Sequence, residues 1–198
     1  MNSLTTVSAE RAIRSSIRES IDVKAQLLEQ HVSIMAHLAE ILAHALRAGN
    51  KLVLFGNGGS AADAQHVAAE LVNRFLMNRD ALAAIALTTD TSILTSVCND
   101  VAFDQVFSRQ VRALVQKDDV VVGISTSGNS PNVLNGIIAA KEKEAVTVAF
   151  VGRGGGELQD LTDICCHVPS DSTPRIQEAQ ITIWHAIVEV VEQELFGK

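Results

Sequence analysis

The sequence predicts an α/β fold: a parallel sheet with helices on both faces, behind a long helical N-terminal segment. Three observations carry this. Five short apolar runs, at 52–55, 81–87, 119–124, 146–151 and 164–168, alternate with segments of helical periodicity. Such alternation produces parallel strands joined by right-handed crossovers. The 81–87 run holds no charge, as expected of a strand buried on both faces. Turns rich in glycine, serine and asparagine follow the first and third runs, at the strand ends where open sheets bind ligands. No repeat, low-complexity tract or linker divides the chain. It reads as one domain over 1–198, with 1–50 a helical oligomerisation segment and 51–198 the α/β core.

Residues 8 to about 47 have a helical pattern. Ile13, Ile17 and Ile21 stand four apart, and Leu28 continues the stripe. A second helix carries Ile34, Leu38, Ile41, Leu42, Ala45 and Leu46 on one face and stops at Gly49-Asn50. Nearly 40 helical residues before the first strand exceed what covering a sheet requires, so a face buried against another subunit is expected. His31, His37 and His44 read as surface or packing histidines.

The first strand breaks into Gly56-Asn57-Gly58-Gly59-Ser60 and an Ala-rich helix follows, with Ser60 as the expected N-cap. Glycines there let backbone approach a ligand closely, and a helix N-terminus attracts anions. His66 and Glu70 stand four apart, so their side chains leave one helical face. They are a solvated helix pair or half of a metal or acid–base site. The turn also fits the dinucleotide fingerprint G-x-G-x-x-A, but the acidic residue expected about 20 positions on comes late, at Asp90. Nicotinamide binding is therefore not expected.

Helices are expected at 89–97 and 103–115, separated by Asn99-Asp100. The third strand ends in Ser125-Thr126-Ser127-Gly128-Asn129-Ser130. This turn has four hydroxyls and no lysine or arginine. A phosphate monoester held by hydroxyls and backbone N–H groups suits it better than a nucleoside triphosphate, whose P-loop needs a lysine. Ser130 as N-cap and Pro131 at the first position start the helix at 131–144. Gly154-Gly155-Gly156 opens a connector, and a final helix runs from 174 to about 195. Gln177 and His185 lie on it eight positions apart, about 80° around the axis, so both can face one cavity. His185, beside Trp184, also fits a buried core histidine.

Composition narrows the function. The 198 residues are long enough to bury roughly 70% of the unfolded chain's surface. A net charge of −7 argues against nucleic-acid binding. No apolar run approaches the ~18 residues of a membrane span, and the N-terminus has no signal-peptide core. A cytoplasmic location is expected. Of three cysteines, Cys165 and Cys166 adjoin in an apolar run and read as strand filler, not ligands.

Asn57-Gly58-Gly59-Ser60, His66-x-x-x-Glu70, Asn99-Asp100, Ser125 to Ser130 and Arg175-Ile176-Gln177-Glu178 together resemble the sugar isomerase (SIS) domain family, on its phosphoheptose isomerase branch. The resemblance covers nearly the whole chain. The serine loop is shared by many SIS proteins; the set His66, Glu70, Gln177 and His185 is far more specific. The resemblance implies a five-stranded, flavodoxin-like parallel sheet and a homotetramer. It implies conversion of sedoheptulose 7-phosphate to D-glycero-D-manno-heptose 7-phosphate, the first step of nucleotide-activated heptose synthesis for lipopolysaccharide. One zinc per subunit is implied, on His66, Glu70, Gln177 and His185, with Glu70 as base and His185 as acid. Substrate contacts are implied at Asn57, Gly58, Gly59, Ser60, Asn99, Asp100, Ser125, Thr126, Ser127, Ser130 and Gln177. Pro174 stands where some relatives have an acidic residue. A relative with this fold is a regulator that binds the replication initiator; it resembles this chain in fold but lacks the Glu70 and His185 side chains. A sugar-phosphate sensor would bring a DNA-binding module, which this sequence does not contain.

Overall fold

The structure is a computed structural model that describes residues 6–197. Two helices, α1 (Thr6–Gln30) and α2 (Val32–Arg47), precede the sheet. Then follow β1 (Leu52–Gly56), α3 (Gly59–Val72), β2 (Ala84–Ala86), α4 (Thr91–Asp100), a 3₁₀ turn at Phe103–Gln105 and α5 (Val106–Leu114). The rest is β3 (Val120–Ile124), α6 (Pro131–Glu142), β4 (Val146–Val151), α7 (Leu158–Leu161), β5 (Ile164–His167) and α8 (Thr173–Phe196). The five strands pair in parallel in the order β2-β1-β3-β4-β5. That is the flavodoxin-like order, whose ligand crevice lies beyond the strand ends between β1 and β3.

Strand residues alternate between two cores. Leu52, Leu54, Val120, Val122, Val148 and Phe150 pack beneath α2, α3 and α8, and Phe150 stacks on Trp184 of α8 with centroids 4.7 Å apart. Val53, Phe55, Val121, Ala149 and Val151 face the other way, toward α5 and α6. Both sheet faces are thus covered, which is why the strands read as unbroken apolar runs.

Four local expectations need correction. The 81–87 run pairs only over Ala84–Ala86, because β2 is an edge strand with β1 as its one neighbour. The helix after β1 does not wait for Ser60: Gly58, at φ 57°, caps α3, a conformation open to glycine at little cost. Ser60 is instead buried inside the first turn. Asn99-Asp100 does not separate two helices but ends α4. The short α7 was not expected, since four residues carry too little periodicity to be read.

Arg175 joins the N-terminal segment to the core. Its buried guanidinium donates to the Ser16 carbonyl and hydroxyl on α1 and to Glu178 Oε1 at 2.6 Å. Yet Ile13, Ile17, Ile21 and Leu28 on α1 remain more than half exposed.

Candidate active site

Two turns flank the crevice between β1 and β3. After β1, Asn57 and Asn132 exchange side-chain amide hydrogen bonds of 2.9 and 2.8 Å, tying this turn to α6. Gly58 and Gly59 are exposed. A Cβ at Gly59 would stand 2.3 Å from Gln177 Nε2, so the Gln177 amide lies directly over the start of α3. After β3, Ser125 Oγ is 2.9 Å from Ser130 Oγ and 3.5 Å from Ser127 Oγ. Ser130 caps α6, with Pro131 in its first turn. Gly128 holds φ 71°, and its missing Cβ leaves room for the Gly155 carbonyl. The turn is braced by the glycine-rich connector: Leu158 N–H donates to the Gly128 carbonyl and Glu157 N–H to Asn129 Oδ1. These hydroxyls at a helix N-terminus form an uncharged cradle of the kind that accepts a phosphate.

Deeper along α3, the separate histidine and glutamate positions converge. His66 Nε2 is 2.9 Å from Glu70 Oε1. His185 Nε2, from α8, is 3.3 Å from both His66 Nε2 and Glu70 Oε1. His185 is not the core histidine its neighbours allowed: its side chain is 41% exposed, and its ring stacks on Phe75 at 5.5 Å. Trp184 takes the core position instead.

The triad fits a metal ion. Three donor atoms face one point, with edges of 2.9, 3.3 and 3.3 Å. A tetrahedral site with bonds of about 2.0–2.1 Å has edges of about 3.3 Å. Glu70 Oε2 is buried with no hydrogen-bond partner, as expected where a further group is to bind. Two imidazoles and a carboxylate suit a borderline ion. Among the described residues, this is the group of three His, Cys, Asp or Glu side chains close enough to share an ion.

Asn99 and Asp100 bond to each other at 2.7 Å on the exposed end of α4. Among the described residues no hydrogen bond joins them to the triad or the serine turn. Thr126 is half-buried and its carbonyl accepts from Gly152 N–H. Sequence reasoning missed Asp63, one turn before His66 on the same helical face. Its Oδ2 is buried without a partner, and burial raises its carboxyl above the usual range against the opposing pull of His66. The i, i+3, i+7 spacing of Asp63, His66 and Glu70 was the available signal. Asn132 was missed too, although it directly follows Ser130-Pro131. Cys165 and Cys166 play no part here: burial pushes their thiols up to about 11 and about 12.

Comparison with known proteins agrees with this fold. The profile described as "SIS domain" matches residues 17–152. The phosphoheptose isomerase of Geobacter sulfurreducens is 50% identical over 184 residues, covering 93% of this chain and 97% of that protein. The solved phosphoheptose isomerase of Neisseria gonorrhoeae superposes with a TM-score of 0.89 at 42% identity, covering 93% of this chain and 99% of that one. That of Francisella tularensis gives 0.91 at 36% identity, covering 96% and 100%.

Proposed function

The chain belongs to the SIS domain family, among its phosphoheptose isomerases, and from that premise we propose that it converts sedoheptulose 7-phosphate to D-glycero-D-manno-heptose 7-phosphate, supplying heptose biosynthesis in the cytoplasm. The observation that carries the chemistry is the convergence of His66, Glu70 and His185 from α3 and α8, where α3 follows β1 and the hydroxyl turn Ser125–Ser130 follows its neighbour strand β3. We take 1–198 as one SIS domain, 1–50 serving assembly and 51–198 the chemistry.

Isomerisation moves one proton from C-1 to C-2 and one from O-1 to O-2 through an enediol. The serine turn, Asn57, Gly58, Gly59 and Ser60 bind and orient the phosphorylated chain. Glu70 takes the C-1 proton and returns it to C-2, and His185 shuttles the proton between the oxygens. Glu70 has one oxygen among the imidazoles and a second without a partner, so one carboxylate can both bind an ion and accept a proton. The ion, proposed as zinc on His66, Glu70, His185 and Gln177, supplies an electrophile for the carbonyl. Gln177 enters this set because its amide lies at the mouth of α3. Asn99 and Asp100 are proposed as contacts made once substrate is present.

Purified protein assayed on sedoheptulose 7-phosphate, before and after chelation, tests this. The expected result is turnover with near-stoichiometric zinc by elemental analysis, both lost in His66→Ala. Full activity without metal would remove the ion from the reaction. The initiator-binding alternative gains nothing from the triad, which binding alone would not need.

A further inference from the structure

The catalytic triad is split between α3 and α8, so something must hold those helices in register. Behind the triad lies an ion pair with no role in the chemistry above. Arg79 Nε donates to Glu192 Oε1 at 2.8 Å, and each side chain is 1% exposed. Each partner makes further hydrogen bonds. Glu192 Oε1 accepts from Phe75 N–H at 3.0 Å, and Oε2 from Leu76 N–H at 2.8 Å and Met77 N–H at 2.9 Å. Arg79 Nη1 donates to the Leu71 and Asp80 carbonyls, and Nη2 to the Glu70 carbonyl at 2.9 Å. The Phe196 ring covers the guanidinium at 5.8 Å.

This pair occupies a place that loose packing could not fill. Carbonyls 70 and 71 belong to the last turn of α3, whose acceptors have no partner within the helix. Arg79 caps them with a charge that suits the negative end of the helix dipole. Glu192 lies seven residues beyond His185, on the same side of α8. The carboxylate therefore draws three consecutive backbone N–H groups onto α8, and Phe75, first of the three, stacks on the His185 ring.

We propose that Arg79 and Glu192 are positioning residues for the isomerisation: they fix the end of α3 and the segment 73–80 against α8, which keeps Glu70 and His185 in reacting geometry with Phe75 behind the imidazole. The proposal rests on the function proposed above for the triad. It predicts an effect on the reacting groups and not on the phosphate cradle, which is built from the turn after β3. Misplacing a catalytic group by about 1 Å can cost on the order of 10²-fold in rate. Loss of a supporting partner behind a metal ligand costs about 10–100-fold in metal affinity or activity.

The test is Glu192→Gln, assayed well below its melting temperature for kcat, KM and zinc affinity, the last by competition with a chelator. The expected result is a kcat at least ~10-fold lower and weaker zinc binding, with KM for sedoheptulose 7-phosphate within about twofold of wild type. A second variant, Phe75→Leu, leaves the ion pair intact and should lower kcat in the same direction. The double variant should cost less than the two singles multiplied, because both act through His185. A role in stability alone predicts a lower melting temperature with wild-type kcat and zinc affinity in the folded protein, and that result overturns the proposal. Should Glu192→Gln not fold, Phe75→Leu decides: wild-type kcat and zinc affinity there refute positioning through His185. If wild-type protein does not turn over this sugar phosphate, the assigned function fails, while the zinc measurement still judges the clamp.

Discussion

The proposed function places Ser130 and Glu70 at different points on the substrate, so damage to each should surface in different constants. Ser130 Oγ, 2.9 Å from Ser125 Oγ, belongs to the cradle. Phosphate is held alike in ground and transition states, so Ser130→Ala should raise KM and leave kcat nearly unchanged. The loss should be about 1.5–3 kcal/mol, the range for a hydrogen bond to a charged group. Steady-state kinetics check this, and an unchanged KM would remove Ser130 from the cradle. At this scale the sequence was most legible where chemistry sets spacing: His66 and Glu70 shared a face because helices repeat every 3.6 residues. The 119-residue separation of His66 from His185 was legible only through family resemblance. Asp63 escaped because its spacing with His66 and Glu70 is equally that of a solvated helix face, and only the burial of its Oδ2 sets it apart.

At the scale of elements, the alternation of strands and helices was plain in the sequence, because each strand is buried on both faces. Element ends were less so. Ser60 has the side chain of a cap, but the positive φ of Gly58 started α3 two residues earlier. The contact that locks α3 to α8 was not legible at all, since Arg79 and Glu192 are 113 residues apart and look like surface charges. Its pH dependence follows from its surroundings. Burial alone would raise the Glu192 carboxyl; the N–H groups of 75, 77 and 76 and the Arg79 guanidinium outweigh it, and the net shift is downward. A carboxyl lowered in the native state stabilises fully above its ordinary value of 4.5, and that contribution is lost as pH falls through the native value. Glu192→Gln should therefore cost on the order of 3 kcal/mol at pH 7, as for one member of a buried pair. The difference from wild type should shrink below pH 4.5 in denaturant titrations. A pH-independent difference would assign the cost to packing alone.

For the whole molecule, the apolar stripe on α1 is left largely uncovered by the described residues. Ile13, Ile17 and Ile21 are 60%, 55% and 58% exposed and Leu28 73%, a row that water does not favour. Assembly through this face, as a closed homotetramer, is the expected outcome. Light scattering at micromolar concentration should give about four times the 21.2 kDa chain mass, and a well-folded monomer would contradict it. Among the described residues no helix is long and apolar enough to cross a membrane.

The central claim is that this α/β fold brings Glu70 to a sugar phosphate as the proton-transferring base. Glu70→Gln keeps the shape and removes the proton acceptor. With sedoheptulose 7-phosphate as substrate and zinc content measured in the same preparation, kcat should fall at least ~10²-fold while KM changes little. A Glu70→Gln protein with full zinc and near-wild-type kcat would contradict the account.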